Sequence, residues 1–216
     1  MRFLPFTLLF ACALTSTAQA QDAKAIQFAE EAVAGMRAAL ASTEIAVQSG
    51  VASSAELSRR RLEFLEAEIL LARLKKDSST VTTKLHDVLT ICEERLANCQ
   101  ALADRGLCST HEVSVAELQV LRAQLRIARD RHDEAAAADV LKKAIEIEQK
   151  NLDRAVALAG QGAASEREIA LQKLRLATLI GTKTIAVDTD GEHLYLLEPP
   201  AEPVSNAEPS APDAAH

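Results

Sequence analysis

No proline occurs between Pro5 and Pro199, and tryptophan is absent altogether. A long stretch rich in Ala, Leu, Glu, Arg and Gln that lacks the residue most hostile to helix interiors is biased toward helix and away from sheet. Aromatics are equally scarce: beyond residue 20 only Phe28, Phe64 and Tyr195 remain. That excludes a thick globular core and favours thin seams of Leu and Ala between helices, with little apolar bulk for shaping an enzyme pocket. Positive charge is not in excess either. The chain carries a net −7, and residues 184–216 hold Asp188, Asp190, Glu192, Glu198, Glu202, Glu208 and Asp213 with no Lys or Arg. No basic footprint for nucleic acid or anionic lipid is present. Past the N-terminus no apolar run approaches the ~20 residues a membrane-spanning helix needs, so no transmembrane span is expected in the mature chain.

What is present begins with residues 1–20, which read as an export signal. Arg2 supplies the positive start, Leu4 to Leu14 the apolar run, and Ala18-Gln19-Ala20 a small-x-small cleavage site. Cleavage after Ala20 would leave a mature chain starting at Gln21, periplasmic or secreted. The competing reading makes Cys12 a lipid-bearing cysteine, but bulky Phe10 and the very short leader argue against it.

A seven-residue pattern, G-x-x-S-x-x-E, recurs at Gly50–Glu56, Gly106–Glu112 and Gly162–Glu168. The interval is always about 56 residues, or eight heptads, so helical phase is kept from copy to copy. In register the units are 21–76, 77–132 and 133–183, and equivalent columns match in character: Leu40/Leu96/Leu152, Leu57/Val113/Ile169 and Leu62/Leu118/Leu174. Each pattern reads as helix punctuation. Gly50, Gly106 and Gly162 can adopt the left-handed conformation that closes a helix. Ser53, Ser109 and Ser165 are N-caps, and Glu56, Glu112 and Glu168 complete a capping box. The fold class expected is therefore all-α, three tandem αα-hairpins forming an elongated, coiled-coil-like bundle.

The incoming helix of the first copy carries one seam, Val33, Met36, Leu40, Thr43 and Val47. The returning helix carries two, Leu62–Leu65–Ile69–Ala72 and Leu57–Phe64–Leu71, which fits a helix with neighbours on both sides. At the joints between copies, Asp77-Ser78-Ser79-Thr80 and Asp133 offer caps. Because "RDRHDEAAAADVL" (Arg129 to Leu141) holds no Gly or Pro, long helices with soft breaks are expected there. Residues 184–197 read as a small β-hairpin turning at Asp190-Gly191, and 198–216 as a disordered acidic Pro/Ala tail.

Candidate chemistry is sparse. Cys92 and Cys99 lie about 10 Å apart along one helix, too far to bridge each other, and Cys108 falls in a turn. Small buried thiols, an intermolecular disulfide through Cys108, and metal binding with a histidine are the readings open to them. His86, His111 and His132 align with polar residues in the other copies, which implies solvated positions; His193 and His216 follow the helical region. Asp188-Thr189-Asp190-Gly191-Glu192 lacks the spacing and closing glutamate of a calcium loop. Arg59-Arg60-Arg61 stand among Glu56, Glu63 and Glu66, a locally paired face. No nucleophile, base and orienter come together, so no enzyme activity, cofactor or resident metal is expected.

The stretch "LANCQALADRGLCSTHEVSVAELQVLRAQLRIARD" (Leu96 to Asp130) resembles the periplasmic helix–turn–helix of TolC-type outer-membrane efflux proteins. It is also similar to the α-hairpin of the membrane-fusion adaptors that dock on them. The matching positions are Leu102, Gly106, Leu107, Ser109, Glu112, Val113 and Ala116, echoed by Gly50, Ser53, Glu56, Leu57 and by Gly162, Ser165, Glu168, Ile169. The likeness covers nearly all of 27–180. It lacks the amphipathic strands of a channel and the β domains of an adaptor, so it implies a stand-alone helical module of that type. The function expected is a non-enzymatic exported scaffold that self-associates or docks on other envelope proteins. The apolar turn positions Val51, Leu107 and Ala163 would make the contact. The alternative is a small-ligand or metal sensor using Cys92, Cys99 and His86.

Overall fold

The computed structural model describes residues 7–185, with side chains from Asp22 onward. They form six helices: α1 (Thr7–Gln48), α2 (Ser54–Leu74), α3 (Ser78–Ala103), α4 (Thr110–Asp130), α5 (Glu134–Gly160) and α6 (Glu166–Thr182). There is no strand among the described residues, so the molecule is all-α there. The β-hairpin expected over 184–197 lies outside the described residues apart from Thr184 and Ile185, which are not strand. The tail over 198–216, with His216, lies outside them entirely. α1 runs without a break across the expected cleavage point between Ala20 and Gln21.

Each helix packs backbone to backbone only on its neighbours in the chain. Turns of a few residues make successive helices antiparallel, so the three glycine turns gather at one end of the array and the two aspartate joints at the other. Two cores result. In the first, Leu65, Ile69 and Ala72 of α2 and Val81, Leu85, Val88 and Cys92 of α3 meet Val120, Ala123 and Ile127 of α4. In the second, Leu118, Leu121, Leu125 and Ala128 of α4 meet Ala137 and Ala144 of α5, Leu179 of α6 and Ile185. α4 thus interleaves two apolar stripes, one per core, as the double seam of the returning helices leads one to expect. Polar contacts tie alternate helices together. Arg126 of α4 makes a two-pronged ion pair with Glu66 of α2, and Arg129 Nη2 donates to the Lys183 carbonyl at 2.6 Å. The α1 seam differs from expectation at Met36, which is exposed while Val33 is buried.

The joints are sharp, which corrects the expectation of long helices with soft breaks. α2 ends at Leu74 and α3 starts at Ser78; α4 ends at Asp130 and α5 starts at Glu134. Lys76 (φ +57°) and His132 (φ +55°) take the left-handed conformation without being glycine. At each joint the amide three residues past the helix closes onto a carbonyl five back, Asp77 to Ala72 at 2.9 Å and Asp133 to Ala128 at 2.8 Å. The aspartates then cap the next helix, accepting from the Thr80 and Ala136 amides. A left-handed L-residue costs about 1–2 kcal/mol. Here that is offset by two closing hydrogen bonds, an N-cap, and the packing that only a chain reversal permits. The residue type alone did not signal it.

Candidate functional site: the glycine tips and the polar cleft beside them

The three tips are built alike. Gly50, Gly106 and Gly162 sit at φ +73°, +72° and +72°. The next amide in each case reaches back five residues: Val51 to Ala46 (2.8 Å), Leu107 to Leu102 (2.9 Å) and Ala163 to Leu158 (2.8 Å). The glycine amides themselves reach back three residues, to Val47, Ala103 and Ala159, and this double closure satisfies carbonyls that would otherwise end the helix unpaired. Ser53, Ser109 and Ser165 then accept from the Glu56, Glu112 and Glu168 amides. The reciprocal half of the box forms only in the middle tip, where Ser109 N–H donates to Glu112 Oε2 at 2.6 Å. Glu56 turns instead to Arg59 and Arg60, whose paired face with Glu63 is joined by Arg61 reaching Glu44 of α1.

Between each glycine and its serine cap lie two residues with different fates. The first points outward: Val51 is 83% exposed and Leu107 72% exposed, and Ala163 is exposed as well. The second (Ala52, Cys108 or Ala164) is half-buried against its own hairpin. One end of the array therefore presents two large apolar side chains and a methyl group to solvent, on turns held by fixed backbone hydrogen bonds.

The middle tip also carries the molecule's densest chemistry. The Cys108 thiol lies near enough to the Cys99 thiol and the Glu112 carboxylate to feel both. Its pKa is pushed up to about 11 by desolvation, then by the Cys99 sulfur and by Glu112. The Glu112 carboxyl is held below the usual carboxylate range, mainly by the Ser109 amide, then by the Ser109 hydroxyl and the Cys108 thiol. Spacing along one helix relates Cys92 to Cys99 and does not reveal this pair. The signal for it was positional: once a glycine turn reverses the chain, position 108 falls back over the last turns of the preceding helix.

Below the tips, polar groups of α3 to α6 border two cavities. A cavity of about 370 Å³ is bordered by Gln100, Thr110, Glu117, Lys150 and Arg154. A second, of about 180 Å³, lies between Asn151 and Arg154 of α5 and Gln172 and Arg175 of α6. Asn151 and Gln172 are nearly fully buried, as is Glu148 one turn away. Among the described residues, Glu148 Oε2, Asn151 Oδ1 and Gln172 Oε1 have no hydrogen-bond partner. Burial raises the Glu148 carboxyl above its ordinary value, against the lowering pull of Arg175 and Asn151. Two of these acceptor oxygens, on Asn151 and Gln172, belong to residues that line the second cavity, and buried acceptors of this kind are ordinarily satisfied by water.

The residues expected to form a sensor are dispersed. Cys92 is buried in the first core, where desolvation raises its thiol. His86 is exposed at the joint end, its Nε2 2.7 Å from Arg131 Nη2, and Cys99 stands at the tip, roughly 20 Å of helix rise away from His86. His111 and His132 are exposed, as expected. Among the described residues no group of three or more His, Cys, Asp or Glu side chains is placed to hold a metal ion, and no helix is long and apolar enough to cross a membrane. His193 and the Asp188–Glu192 segment lie outside the described residues. No known protein family matches this chain, and no curated protein or solved structure matches it either.

Proposed function

We propose that this chain is a non-enzymatic, exported helical scaffold, built from three copies of one 56-residue hairpin and freed by cleavage after Ala20. In this reading it works in the cell envelope, and its tips dock on other envelope proteins in the manner of TolC-type and adaptor hairpins. The observation that carries the reading is the common end of the array, where Val51, Leu107 and Ala163 stand exposed on rigid turns. Exposed apolar side chains fixed at known spacing are what a partner's tip can cover. Stacking of successive hairpins, each touching only its neighbours, leaves such an end free in a way a closed bundle would not.

The test is capture from envelope extracts with the full chain and with Leu107→Asp. Circular dichroism must show equal helix content in the two. Loss of specific partners with Leu107→Asp supports tip docking; an unchanged set of captured proteins overturns it. Mass measurement of the exported product tests the leader, the expected N-terminus being Gln21.

One observation favours a second reading, a small-ligand sensor. The unpartnered oxygens of Asn151 and Gln172 border the same cavity, so its residues differ from the Cys92, Cys99 and His86 expected of it. Calorimetry with zinc and copper distinguishes the two sets. Heat that persists in Cys92→Ser and Cys99→Ser but vanishes in Gln172→Leu assigns the cleft, and the absence of heat removes metal sensing.

A further inference from the structure

The middle hairpin differs from its neighbours at two positions. Where the first has Thr43 and Ala52, and the third Ala155 and Ala164, the middle one has Cys99 and Cys108. Backbone geometry brings these two together. Leu107 N–H donates to the Leu102 carbonyl at 2.9 Å, and Gly106 N–H to Ala103 at 2.9 Å, which folds the chain back over the end of α3. Cys99 lies three residues before Leu102, on the same helix face, and Cys108 follows Leu107. That places the two thiols close enough to influence each other across the turn, and both are half-buried, unlike the sealed Cys92. The left-handed Gly106 and the complete Ser109–Glu112 capping box hold the approach in place.

We propose that Cys99 and Cys108 are a redox dithiol that closes to an intrachain disulfide across the α3–α4 turn, taking its oxidising equivalents from a small-molecule or protein disulfide. The reaction is two thiol–disulfide exchanges. A deprotonated Cys99 sulfur attacks one sulfur of the donor disulfide, forming a mixed disulfide and releasing one donor thiolate. Cys108 then loses its proton to solvent and attacks the Cys99 sulfur, releasing the second donor thiolate. The two protons leaving the protein are taken up by the two donor thiolates. The protein loses two electrons and the donor disulfide gains them. Cys99 attacks first because its partner's thiolate is the disfavoured one, with Glu112 beside it. The closed bond ties α3 to the residue preceding the α4 cap and fixes the tip that carries Leu107.

Trypsin separates the three thiols, because Arg95 and Arg105 put Cys92, Cys99 and Cys108 on different peptides. The full chain is equilibrated with oxidised and reduced glutathione, alkylated, digested without reductant and analysed by mass spectrometry. With alkylation carried out in denaturant, the expected result is a linked pair, Leu96–Arg105 with Gly106–Arg122, in the monomer fraction, which separates on reduction while the Cys92 peptide is alkylated throughout. Cys92→Ser should leave the link intact, and Cys108→Ser should abolish it and free Cys99 for alkylation. In parallel, the melting temperature of the oxidised chain should exceed that of the reduced chain, a difference lost in Cys108→Ser. The proposal is overturned by alkylation of both Cys99 and Cys108 in fully oxidised glutathione. A Cys108–Cys108 link between chains, or a link through Cys92, overturns it equally.

Discussion

α4 and α6 are the same helix in sequence pattern and opposite extremes in environment. Both follow a glycine turn and a serine cap, and both keep leucine in the same column, Leu118 and Leu174. Leu118 is 3% exposed and Leu174 is 63% exposed. α4 is flanked on both sides and buries residues along most of its length. α6 is flanked by α5 and touched by the end of α4, and only Gln172 and Leu179 are buried. The repeat thus dictates where helices start and stop, while position in the array dictates which of their apolar residues are covered. An open array has ends, and on the end helices large apolar side chains stand exposed among the described residues: Leu171, Leu174 and Ile180 on α6, Phe28 and Ile45 on α1.

Alanine substitution in that shared column gives the largest expected effect. Leu118→Ala removes a buried side chain from the second core and should cost about 3 kcal/mol. Leu174→Ala, at a solvated position, should change stability by less than about 0.5 kcal/mol. Urea unfolding followed by far-ultraviolet circular dichroism measures both as shifts in midpoint. Equal losses at the two positions would mean that α6 is covered in solution, and the contrast drawn from the single chain would then fail.

A second contrast sets the tips against the joints, since both reverse the chain through a left-handed residue but only the tips use glycine. Gly106→Ala forces a Cβ into that conformation and should destabilise by about 1 kcal/mol. His132→Gly relieves the same strain at the joint and should stabilise by up to about 1 kcal/mol, less whatever the more flexible unfolded chain takes back. Asp133→Ala, which removes the cap that follows, should cost about 1 kcal/mol. Opposite signs for Gly106→Ala and His132→Gly in thermal melts are the expected outcome. The same sign for both would show that the joint is not strained.

These pairs also mark how far the sequence could be read. Helix content, the positions of the tips and the serine caps follow from local chemistry: proline is missing, and Gly, Ser and Glu sit at fixed offsets. The joints were obscured because nothing about Lys76 or His132 announces a left-handed residue; the reversal is imposed by packing, with Asp77 and Asp133 as the sole local hint. Met36 was assigned to the α1 seam on spacing, yet an end helix has no second neighbour to cover it. The Cys99–Cys108 proximity was missed for a related reason. Spacing along a helix says which residues share a face, but thiols on either side of a turn come near each other only after the chain reverses. The buried oxygens of the α5–α6 cleft gave a weaker sign, a glutamate in the column that holds Met36 and Cys92.

Glu148 in that column yields the subtlest prediction, because it asks whether the third hairpin tolerates at a seam position what the second fills with a thiol. Burial raises its carboxyl pKa above the unfolded value, so the folded state favours the protonated form. Linkage then fixes the sign. The folded chain holds this proton more tightly than the unfolded chain, so stability at this site is fully present below the ordinary carboxylate range and falls as pH rises through the elevated folded value. At neutral pH the buried charge is a net cost. Glu148→Gln, of similar shape and uncharged, should raise the melting temperature at pH 7, corresponding to about 1 kcal/mol or less, and the gain should shrink toward zero as pH falls below about 4, the ordinary carboxylate pKa. A variant less stable than wild type at pH 7 would mean that the ionised carboxylate is held by Arg175 more firmly than its burial opposes it. The polar cleft would then be an ion pair rather than a desolvated acid.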